Sequence, residues 1–301
     1  MEGDEPGRGR DDLHPPFHLD GAVRVEGPLV FASPHSGRHY PGALLAASRL
    51  RLAELRRCED PHVDALVRPA ARACAAPLLC ATHARAWLDV NRAADELDPA
   101  MLAPPHPRAW RPSRRVAQGL GVIPRDAGPA GRIYRRALSH EEAEARIAAL
   151  HAPWHARLDS LLVAARARHG VALLVDWHSM PPQPGPDAPD AVIGDLHGRS
   201  AHPALSALAG QVLRDQGLRV ARNDPYAGAG TLERHGAPAS GIHAIQVEVD
   251  RRLYLDADLL EPGSGMAGLA ARLASAMRAL AAGLAALAPV LRAGPQAWAA
   301  E

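Results

Sequence analysis

The stretch Val171–Met180 constrains the fold of this chain more than any other. Five apolar residues, Val171 to Val175, run without a break and are followed by Asp176 and His178. An uninterrupted apolar run of this length is typical of a strand buried on both faces of a sheet. In an open α/β sheet, ligands bind beyond the carboxyl ends of such strands. We therefore predict a central strand here, with its polar end at a binding site.

Asp176 and His178 lie two positions apart, which places their side chains on the same side of a continued strand. A carboxylate that accepts a hydrogen bond from an imidazole fixes the tautomer of the ring and leaves its other nitrogen for a metal ion. The alternative is that Asp176 caps a loop and that His178 is a surface imidazole. This stretch alone does not decide between the two interpretations.

A second histidine, His35, follows another predicted strand, Pro28–Ser33. Gly37 can adopt a positive φ angle and turn the chain sharply after that strand. The alternative is an ordinary turn, in which Ser36 and Gly37 serve only turn chemistry. One histidine on a turn carries little weight, but two histidines at the ends of two strands favour a metal site.

The segment Cys58–Asp64 is the candidate source of a third metal ligand, because it concentrates acidic residues around a histidine. Catalytic zinc is commonly held by two histidines and one carboxylate, with the fourth position left for water. We predict that Asp60 takes the carboxylate role beside His35 and His178. The alternative is capping, with Asp60 as the N-cap of a helix and Pro61 in its first turn.

The segment Ala86–Arg92 follows an apolar alternation, which predicts that Asp89, Asn91 and Arg92 sit at a strand end or just past it. Arginine can bind a carboxylate through two hydrogen bonds at once, so Arg92, with Asn91, is a candidate either for binding a carboxylate of the substrate or for a catalytic role in stabilising the developing oxyanion. Its alternative role is a salt bridge to Asp89 or Asp95.

The last predicted strand, His243–Val249, carries Glu248 among apolar residues. A carboxylate in such a strand is costly unless it is paired or functional. All 34 basic residues are arginine, so lysine is removed as a general base. Glu248 is therefore the candidate base, and an ion pair with Arg251 or Arg234 is the structural alternative.

Helical patterns separate the predicted strands. Residues 42–76 predict a helical stretch in two pieces, Ser139–Glu142 is a capping box that opens a long helix, and Met266–Arg292 predicts an amphipathic helix on the sheet. His151 and His155 are four apart on the long helix, which is a metal-ligand spacing, but the glutamate of an HExxH motif is missing. We interpret these two histidines as structural.

Charge and composition narrow the class of protein. The net charge is +1 and no basic run stands out, so neither nucleic acid nor an anionic membrane is indicated as a partner. The three cysteines form no CxxC pair and fit a reducing compartment, which predicts a cytoplasmic protein. The chain start lacks a secretory signal, and no uncharged apolar run is long enough to predict a membrane span. We predict a disordered tail over residues 1–20 and a single domain over residues 21–301.

Seven short motifs occur in order along the chain, and together they resemble the N-formylglutamate amidohydrolase family. They are PHSG at 34–37, EDPHVD at 59–64, LDVNR at 88–92, GVIP at 121–124, LVDWHSM at 174–180, NDPYAG at 223–228 and HAIQVEV at 243–249. The resemblance spans roughly residues 28–256. DxNR at Asp89–Arg92 and DxH at Asp176–His178 also resemble the zinc carboxypeptidase and aspartoacylase group.

The resemblance implies an α/β protein with a three-layer α/β/α fold, a mixed central sheet and one zinc ion, as in zinc exopeptidases. It implies a hydrolase in which Asp176 and Asp89 do not bind zinc but support the residues of the site, Asp176 by orienting a zinc ligand and Asp89 by orienting Arg92. The wider group places its first ligands as HxxE, whereas Arg38 is the third residue after the first histidine here. Asp60 is therefore the expected carboxylate ligand, with Glu59 in reserve.

The expected reaction is zinc-dependent hydrolysis of an N-formyl amino acid, above all N-formyl-L-glutamate, a small molecule with carboxylate groups. The resemblance assigns substrate binding to polar residues of its motifs and to an arginine that follows the glycine-bearing loop, namely Asn91, Arg92, Asn223, Tyr226 and Arg234. Two alternatives stay open: a zinc carboxypeptidase or an aspartoacylase-like deacylase, and a non-catalytic ligand-binding member. Retention of both histidines and of the strand glutamate argues against the non-catalytic alternative.

Overall fold

The computed structural model describes residues 14–21, 25–104 and 110–292. Within these residues, seven strands form one mixed sheet. In chain order the strands are Phe17–Asp20 (β1), Leu29–Ser33 (β2), Leu78–Ala81 (β3), Ala172–Met180 (β4), Ala191–Gly194 (β5), Val220–Arg222 (β6) and Ile242–Asp250 (β7). Their order across the sheet is β1-β3-β2-β4-β7-β5-β6.

Strand β4 lies at the centre of the sheet, as its apolar run predicts, and every one of its residues is buried. It pairs in parallel with β2 on one side and with β7 on the other. Strands β2 and β3 are parallel, as are β5 and β6, whereas β1 and β5 run antiparallel to β3 and β7. Because β2, β4 and β7 are parallel, their carboxyl ends meet at one edge, where they bring His35, His178 and Glu248 together.

Helices form a layer on each face of the sheet. They are Gly42–Ala47 (α1), Leu52–Leu55 (α2), Val63–Ala73 (α3), Arg114–Ala117 (α4), His140–Arg146 (α5), Ala152–His169 (α6), Pro203–Arg214 (α7), Gly230–His235 (α8) and Met266–Arg292 (α9). Leu173, Val175 and Trp177 of β4 belong to the core that contains α3, α7 and α9, while Ala172 and Leu174 belong to the core that contains α6. This alternation confirms the predicted three-layer α/β/α fold with a mixed sheet.

Helix α9 is the one helix among the described residues whose length and apolar composition would allow it to cross a membrane. Its residues Leu269, Leu273, Met277 and Leu280 are buried in the core on one face of the sheet. An amphipathic helix needs such an apolar stripe in order to pack against its own protein. The predicted helix on the sheet is confirmed, and its apolar residues are accounted for by the core.

Two boundary predictions are wrong. Residues 17–20 form β1, which pairs with β3, so the predicted tail does not extend to them; residues 1–13 lie outside the described residues. Residues 42–76 contain three helices rather than two pieces, because the chain is extended at Ser48 and Arg51. In the first case the pairing of β1 with β3 determines the structure, and in the second case the extended backbone at two residues ends the helix. Neither feature can be read from the composition of the segment.

The segment Ala86–Arg92 does not end a strand, which corrects a further prediction. It forms turns after β3. The Asp89 backbone N–H donates to Val122 O at 2.8 Å, so its partner is a loop and not a neighbouring strand. The alternation of apolar and polar residues instead reflects a chain that is packed on one side and lines a cavity on the other.

Candidate metal centre and active site

Two histidines and a carboxylate converge at the carboxyl edge of the sheet. His35 follows β2, His178 lies on β4, and Asp60 precedes α3. The Nδ1 atoms of the two histidines are 3.1 Å apart, and Asp60 Oδ2 lies 3.2 Å from that of His35 and 2.9 Å from that of His178. All three residues are buried, and together they could hold a metal ion.

The spacing of these three donor atoms fits a metal ion. Zinc at a tetrahedral site has bonds of about 2.0–2.1 Å to nitrogen and oxygen, so its ligand atoms are about 3.3 Å apart. The three separations between the His35, His178 and Asp60 atoms are close to that value. Two imidazole nitrogens and one carboxylate oxygen are also a donor set that catalytic zinc commonly uses.

Asp89 and Asp176 contact the outer nitrogens of the two imidazoles. His35 Nε2 donates to Asp89 Oδ1 at 2.8 Å, and His178 Nε2 donates to Asp176 Oδ2 at 3.1 Å. Protons on Nε2 leave Nδ1 of both rings available to a metal ion. Burial lowers the pKa of His178, but Asp176 and Asp60 outweigh burial and raise this pKa well above its ordinary value. The carboxylates therefore favour a positive charge at this point, whether a proton or a metal ion carries it.

Asp60 is not the N-cap of α3, so the capping alternative is wrong. His62 takes that position with a φ of 58°, and the helix begins one residue later. This left-handed turn separates Asp60 from the helix, and its side chain contacts the two histidines instead. Arg251 Nη2 donates to Asp60 Oδ1 at 3.1 Å. Glu59, the reserve ligand, accepts a hydrogen bond from the Tyr40 hydroxyl and is not among the converging atoms.

Glu248 lies on β7 directly across from His178 in the sheet. It is buried, and Gln246 Nε2 donates to its Oε1 at 2.8 Å. Burial raises the pKa of Glu248 to about 7, against the opposing effect of His178. Among the described residues, Glu248 forms no ion pair with Arg251 or Arg234. A carboxyl group whose pKa is near neutrality is suited to accept and release a proton.

Asn91 and Arg92 reach the site from a segment without regular secondary structure. Asn91 Oδ1 accepts a hydrogen bond from the Thr231 N–H at 2.8 Å, which fixes the amide. Asn91 Nδ2 lies 3.1 Å from His178 Nε2 but does not donate to it, because that nitrogen carries the proton given to Asp176. Arg92 is buried, and its Nε and Nη1 donate to Leu120 O at 2.9 Å and to Asn91 O at 2.7 Å. Burial lowers the pKa of Arg92 to about 10. Both side chains are therefore held in place beside the metal centre.

A cavity of about 960 Å³ opens over the metal centre and Glu248. Its lining is rich in arginine, with Arg57, Arg85, Arg92, Arg111, Arg114, Arg115 and Arg251. Tyr226 also lines it, and burial raises the pKa of this phenol. Guanidinium groups are the side chains that best match carboxylates, so the cavity suits an anionic ligand.

Residues 27–255 match the family model described as N-formylglutamate amidohydrolase. The chain belongs to the N-formylglutamate amidohydrolase family. The resemblance drawn from the seven motifs is thereby confirmed, as is the prediction of an amidohydrolase.

Named relatives and a solved structure agree with this assignment. The N-formylglutamate deformylases of Pseudomonas aeruginosa and Pseudomonas putida are each 27% identical, over 76% of this chain and 82% of theirs. The crystal structure of N-formylglutamate amidohydrolase from Ralstonia eutropha JMP134 is 34% identical and superposes with a TM-score of 0.81. That match covers 92% of this chain and 98% of the other, so the similarity to the amidohydrolase extends over nearly the whole fold.

Two residues predicted to bind substrate in this amidohydrolase do not line the main cavity. Asn223 uses both ends of its amide on Asp195, since Oδ1 accepts from the Asp195 N–H at 2.9 Å and Nδ2 donates to Asp195 Oδ1 at 2.8 Å. Arg234 is exposed and lines a second cavity of about 370 Å³, which also contacts Arg92. Asn223 therefore fixes its own loop, and the substrate-binding roles of Asn223 and Arg234 stay predictions that the lining of the main cavity does not support.

Two arginines that sequence reasoning missed, or placed differently, hold the carboxylates of the site. Arg85 Nε donates to Asp89 Oδ2 at 2.9 Å, and Arg251 donates to Asp60. Arg85 stands outside every family motif, and its only sequence signal is its spacing of four residues from Asp89. Arg251 was considered only as a partner for Glu248. Their roles depend on contacts between distant segments, which the sequence alone does not display.

Proposed function

We propose that this protein hydrolyses N-formyl-L-glutamate to formate and glutamate with one zinc ion held by His35, Asp60 and His178. The observation that carries the proposal is the convergence of these three ligands beside a buried glutamate, within an arginine-rich cavity. The names of the relatives support the substrate, because they are N-formylglutamate deformylases. The donor set supports zinc, because borderline metals prefer mixed imidazole and carboxylate ligands.

A zinc ion held by these residues would lower the pKa of a bound water molecule toward about 7 and would polarise the carbonyl of the formyl group. Asp89 and Asp176 hold the two imidazoles so that both Nδ1 atoms keep their lone pairs for the ion. Arg251 holds Asp60 through its other carboxylate oxygen.

Glu248 is the general base and then the general acid. Its Oε1 is occupied by Gln246, so Oε2 is the oxygen that accepts the proton from the attacking water. The same proton is delivered to the leaving nitrogen, because an amine leaves poorly as an anion. A single carboxylate can perform both transfers in turn if its pKa lies near the working pH.

Arg92 binds a carboxylate of the substrate, and Asn91 beside it contributes an amide to the same end of the cavity. Two donors of Arg92 are already used by Leu120 and Asn91, and its Nη2 lies 3.7 Å from Asp89 Oδ2 in an ion pair. The N–H groups that remain on Nη1 and Nη2 are the ones that bind the substrate in this proposal. Tyr226 and the other arginines of the lining receive the second carboxylate. A dianionic substrate gains from several cations that are already held in place.

The proposal includes a cytoplasmic location and a single hydrolase domain over residues 21–301. It is tested by hydrolysis of N-formyl, N-acetyl and peptide derivatives of glutamate and aspartate by the zinc-loaded protein. We expect the highest kcat/KM for N-formyl-L-glutamate and a loss of at least about 10²-fold in zinc-loaded Glu248→Gln. The cavity has room for longer substrates, so a preference for an N-acetyl amino acid or a peptide would replace this proposal with a deacylase or a peptidase.

A further inference from the structure

The segment Val90–Arg92 carries two groups of the site without lying in a strand or a helix. Each of its three backbone carbonyls accepts a hydrogen bond from outside the segment. His155 Nε2 donates to Val90 O at 3.0 Å, and His151 Nε2 donates to Arg92 O at 2.8 Å. The Gly230 N–H lies 3.3 Å from Asn91 O. Two imidazoles thus donate the hydrogen bonds that the backbone of a neighbouring strand would otherwise have donated to this segment.

The two imidazoles belong to a buried row that ends at the protein surface. His155 Nδ1 lies 2.8 Å from His235 Nε2, and His235 Nδ1 lies 2.8 Å from Asp159 Oδ1. The ring centroids of His151 and His155 are 4.2 Å apart, and those of His155 and His235 are 5.0 Å apart. The three histidines are buried, whereas the Asp159 side chain is 53% exposed.

The donors and acceptors of this row can be assigned from one end to the other. Val90 O can only accept, so His155 carries its proton on Nε2. Burial lowers the pKa of His155 to about 2, so the ring is neutral and its Nδ1 accepts from His235 Nε2–H. His235 can donate to both of its neighbours only as an imidazolium, with Nε2–H to His155 and Nδ1–H to Asp159. Burial lowers the pKa of His235, and the Asp159 carboxylate opposes that effect. The series from Asp159 to Val90 O is therefore complete only when His235 is protonated, whereas the hydrogen bonds from His155 and His151 to the segment do not need that proton.

The helix that carries the two imidazoles is locally distorted to present them. Between α5 and α6 the chain forms a π-helical turn over Ile147–His151, and Pro153 follows at the start of α6. A π turn inside a helix is rare and is frequently found at functional sites. Burying three imidazoles in this core is also costlier than burying leucines unless their hydrogen bonds are needed.

We infer that His151 and His155, supported by His235 and Asp159, are positioning residues for Asn91 and Arg92. The inference rests on the proposed function, in which those two side chains contact the substrate. It changes the interpretation of the HxxxH pair at 151 and 155 from structural residues to residues that determine catalytic geometry. A displacement of about 1 Å in a substrate-binding group can lower the rate about 100-fold.

The inference is tested with His155→Leu and His155→Gln, each purified with zinc and compared by kcat and KM. Glutamine keeps an N–H donor near the position of Nε2, whereas leucine does not. We expect His155→Leu to lose at least about tenfold in kcat/KM at full zinc occupancy and His155→Gln to recover most of that loss. Equal losses in the two variants, or no loss in His155→Leu, would overturn the inference.

Asp159→Leu and His243→Leu complete the test. Asp159 is exposed, so Asp159→Leu is expected to fold, and we expect it to lose kcat/KM less severely than His155→Leu. His243 is a buried histidine of β7 that does not contact the segment, and His243→Leu should lower thermal stability but leave kcat/KM unchanged. If His243→Leu lost as much kcat/KM as His155→Leu, the loss would be a general effect of replacing a buried histidine, and the inference would be contradicted.

Amide hydrogen exchange separates this inference from the proposed function. Protection of the amides of residues 89–92 should fall in His155→Leu and not in His243→Leu, whatever the substrate is. If the wild-type protein hydrolyses no N-formyl amino acid, the proposed function fails, and the exchange result alone decides whether the imidazoles hold the segment. Unchanged protection in His155→Leu would contradict the inference.

Discussion

Arg251 donates a hydrogen bond of 3.1 Å to Asp60 Oδ1, the carboxylate oxygen that does not contact the histidines. The other oxygen, Oδ2, contacts both imidazoles. Arg251 is itself fixed, because its Nε donates to Ser179 Oγ at 3.1 Å. The arginine therefore holds Asp60 in an orientation that presents one oxygen to a metal ion, and it compensates the charge of a buried carboxylate.

Arg251→Met should weaken zinc binding about 10–100-fold, which is the usual effect of removing a partner of a metal ligand. Zinc affinity is measured by competition with a chromophoric chelator. Arg252→Met is the matched control, because Arg252 pairs with Asp250 and is half-exposed. If Arg251→Met bound zinc as tightly as wild type, the hydrogen bond from Arg251 to Asp60 would not contribute to zinc affinity.

His35→Ala and His178→Ala should each lose bound zinc, because either change leaves two protein ligands of three. Asp176→Ala should keep the site and weaken zinc about 10–100-fold, since Asp176 contacts the metal ligand and not the metal. Metal analysis after dialysis against a weak chelator gives the occupancy, with His243→Ala as the control for loss of a buried histidine. Full occupancy in both His35→Ala and His178→Ala would remove these histidines from the metal site.

The central strand, both histidines and Glu248 could be predicted because their signals are local. An uninterrupted apolar run predicts a buried strand, and polar residues at its end predict a site edge. The layer arrangement and the family followed from the order of short motifs along the chain. In each case neighbouring residues carried the information.

What the sequence left open depends on contacts between distant segments. The sequence alone could not exclude Asp60 as a helix cap, because only the left-handed turn at His62 rules that role out. Asn223 looked like a substrate-binding residue, yet Asp195 occupies its amide. The row from His151 to Asp159 is invisible in the sequence because its contacts to Val90 and Arg92 cross about 60 positions.

Arg92→Lys should lower kcat/KM for N-formyl-L-glutamate at least about tenfold, because lysine cannot bond Leu120, Asn91 and a substrate carboxylate together. Arg234→Lys is the matched control, since Arg234 lines the second cavity and not the main one. We expect Arg234→Lys to stay within about twofold of wild type. If Arg234→Lys lost more kcat/KM than Arg92→Lys, the binding of the substrate carboxylate would be assigned to Arg234 instead of Arg92.

Gly230→Ala should lower kcat/KM, because a Cβ at this position would lie 2.9 Å from Asn91 O and 3.0 Å from Arg92 Cα. Both are backbone atoms, so the Val90–Arg92 segment would have to move. Gly268→Ala on α9 is the control, because a Cβ there meets no atom within 4 Å and alanine favours a helix by about 0.5–1 kcal/mol. Steady-state kinetics and thermal denaturation of both variants are compared; a Gly230→Ala protein with wild-type kinetics would show that the segment tolerates displacement.

Glu248→Gln should abolish most turnover while the fold and the zinc remain. Glutamine has nearly the same shape and can still bond Gln246, but it cannot accept a proton from water or return it to the leaving nitrogen. Loss of general base and acid catalysis lowers kcat by at least about 10²-fold. Removing a buried carboxyl group should not lower the free energy of unfolding, because a buried charge is costly to maintain.

A structural role for Glu248 makes the opposite forecast: a lower melting temperature and near-normal turnover per folded, zinc-loaded molecule. The decisive measurement is therefore kcat normalised to bound zinc, taken together with thermal denaturation of the same sample. Near-normal kcat in zinc-loaded Glu248→Gln would exclude this residue from proton transfer. The base would then have to be sought among the remaining carboxylates of the cavity lining, of which Glu96, Asp126 and Glu233 are not ligands or ligand partners in the proposed site.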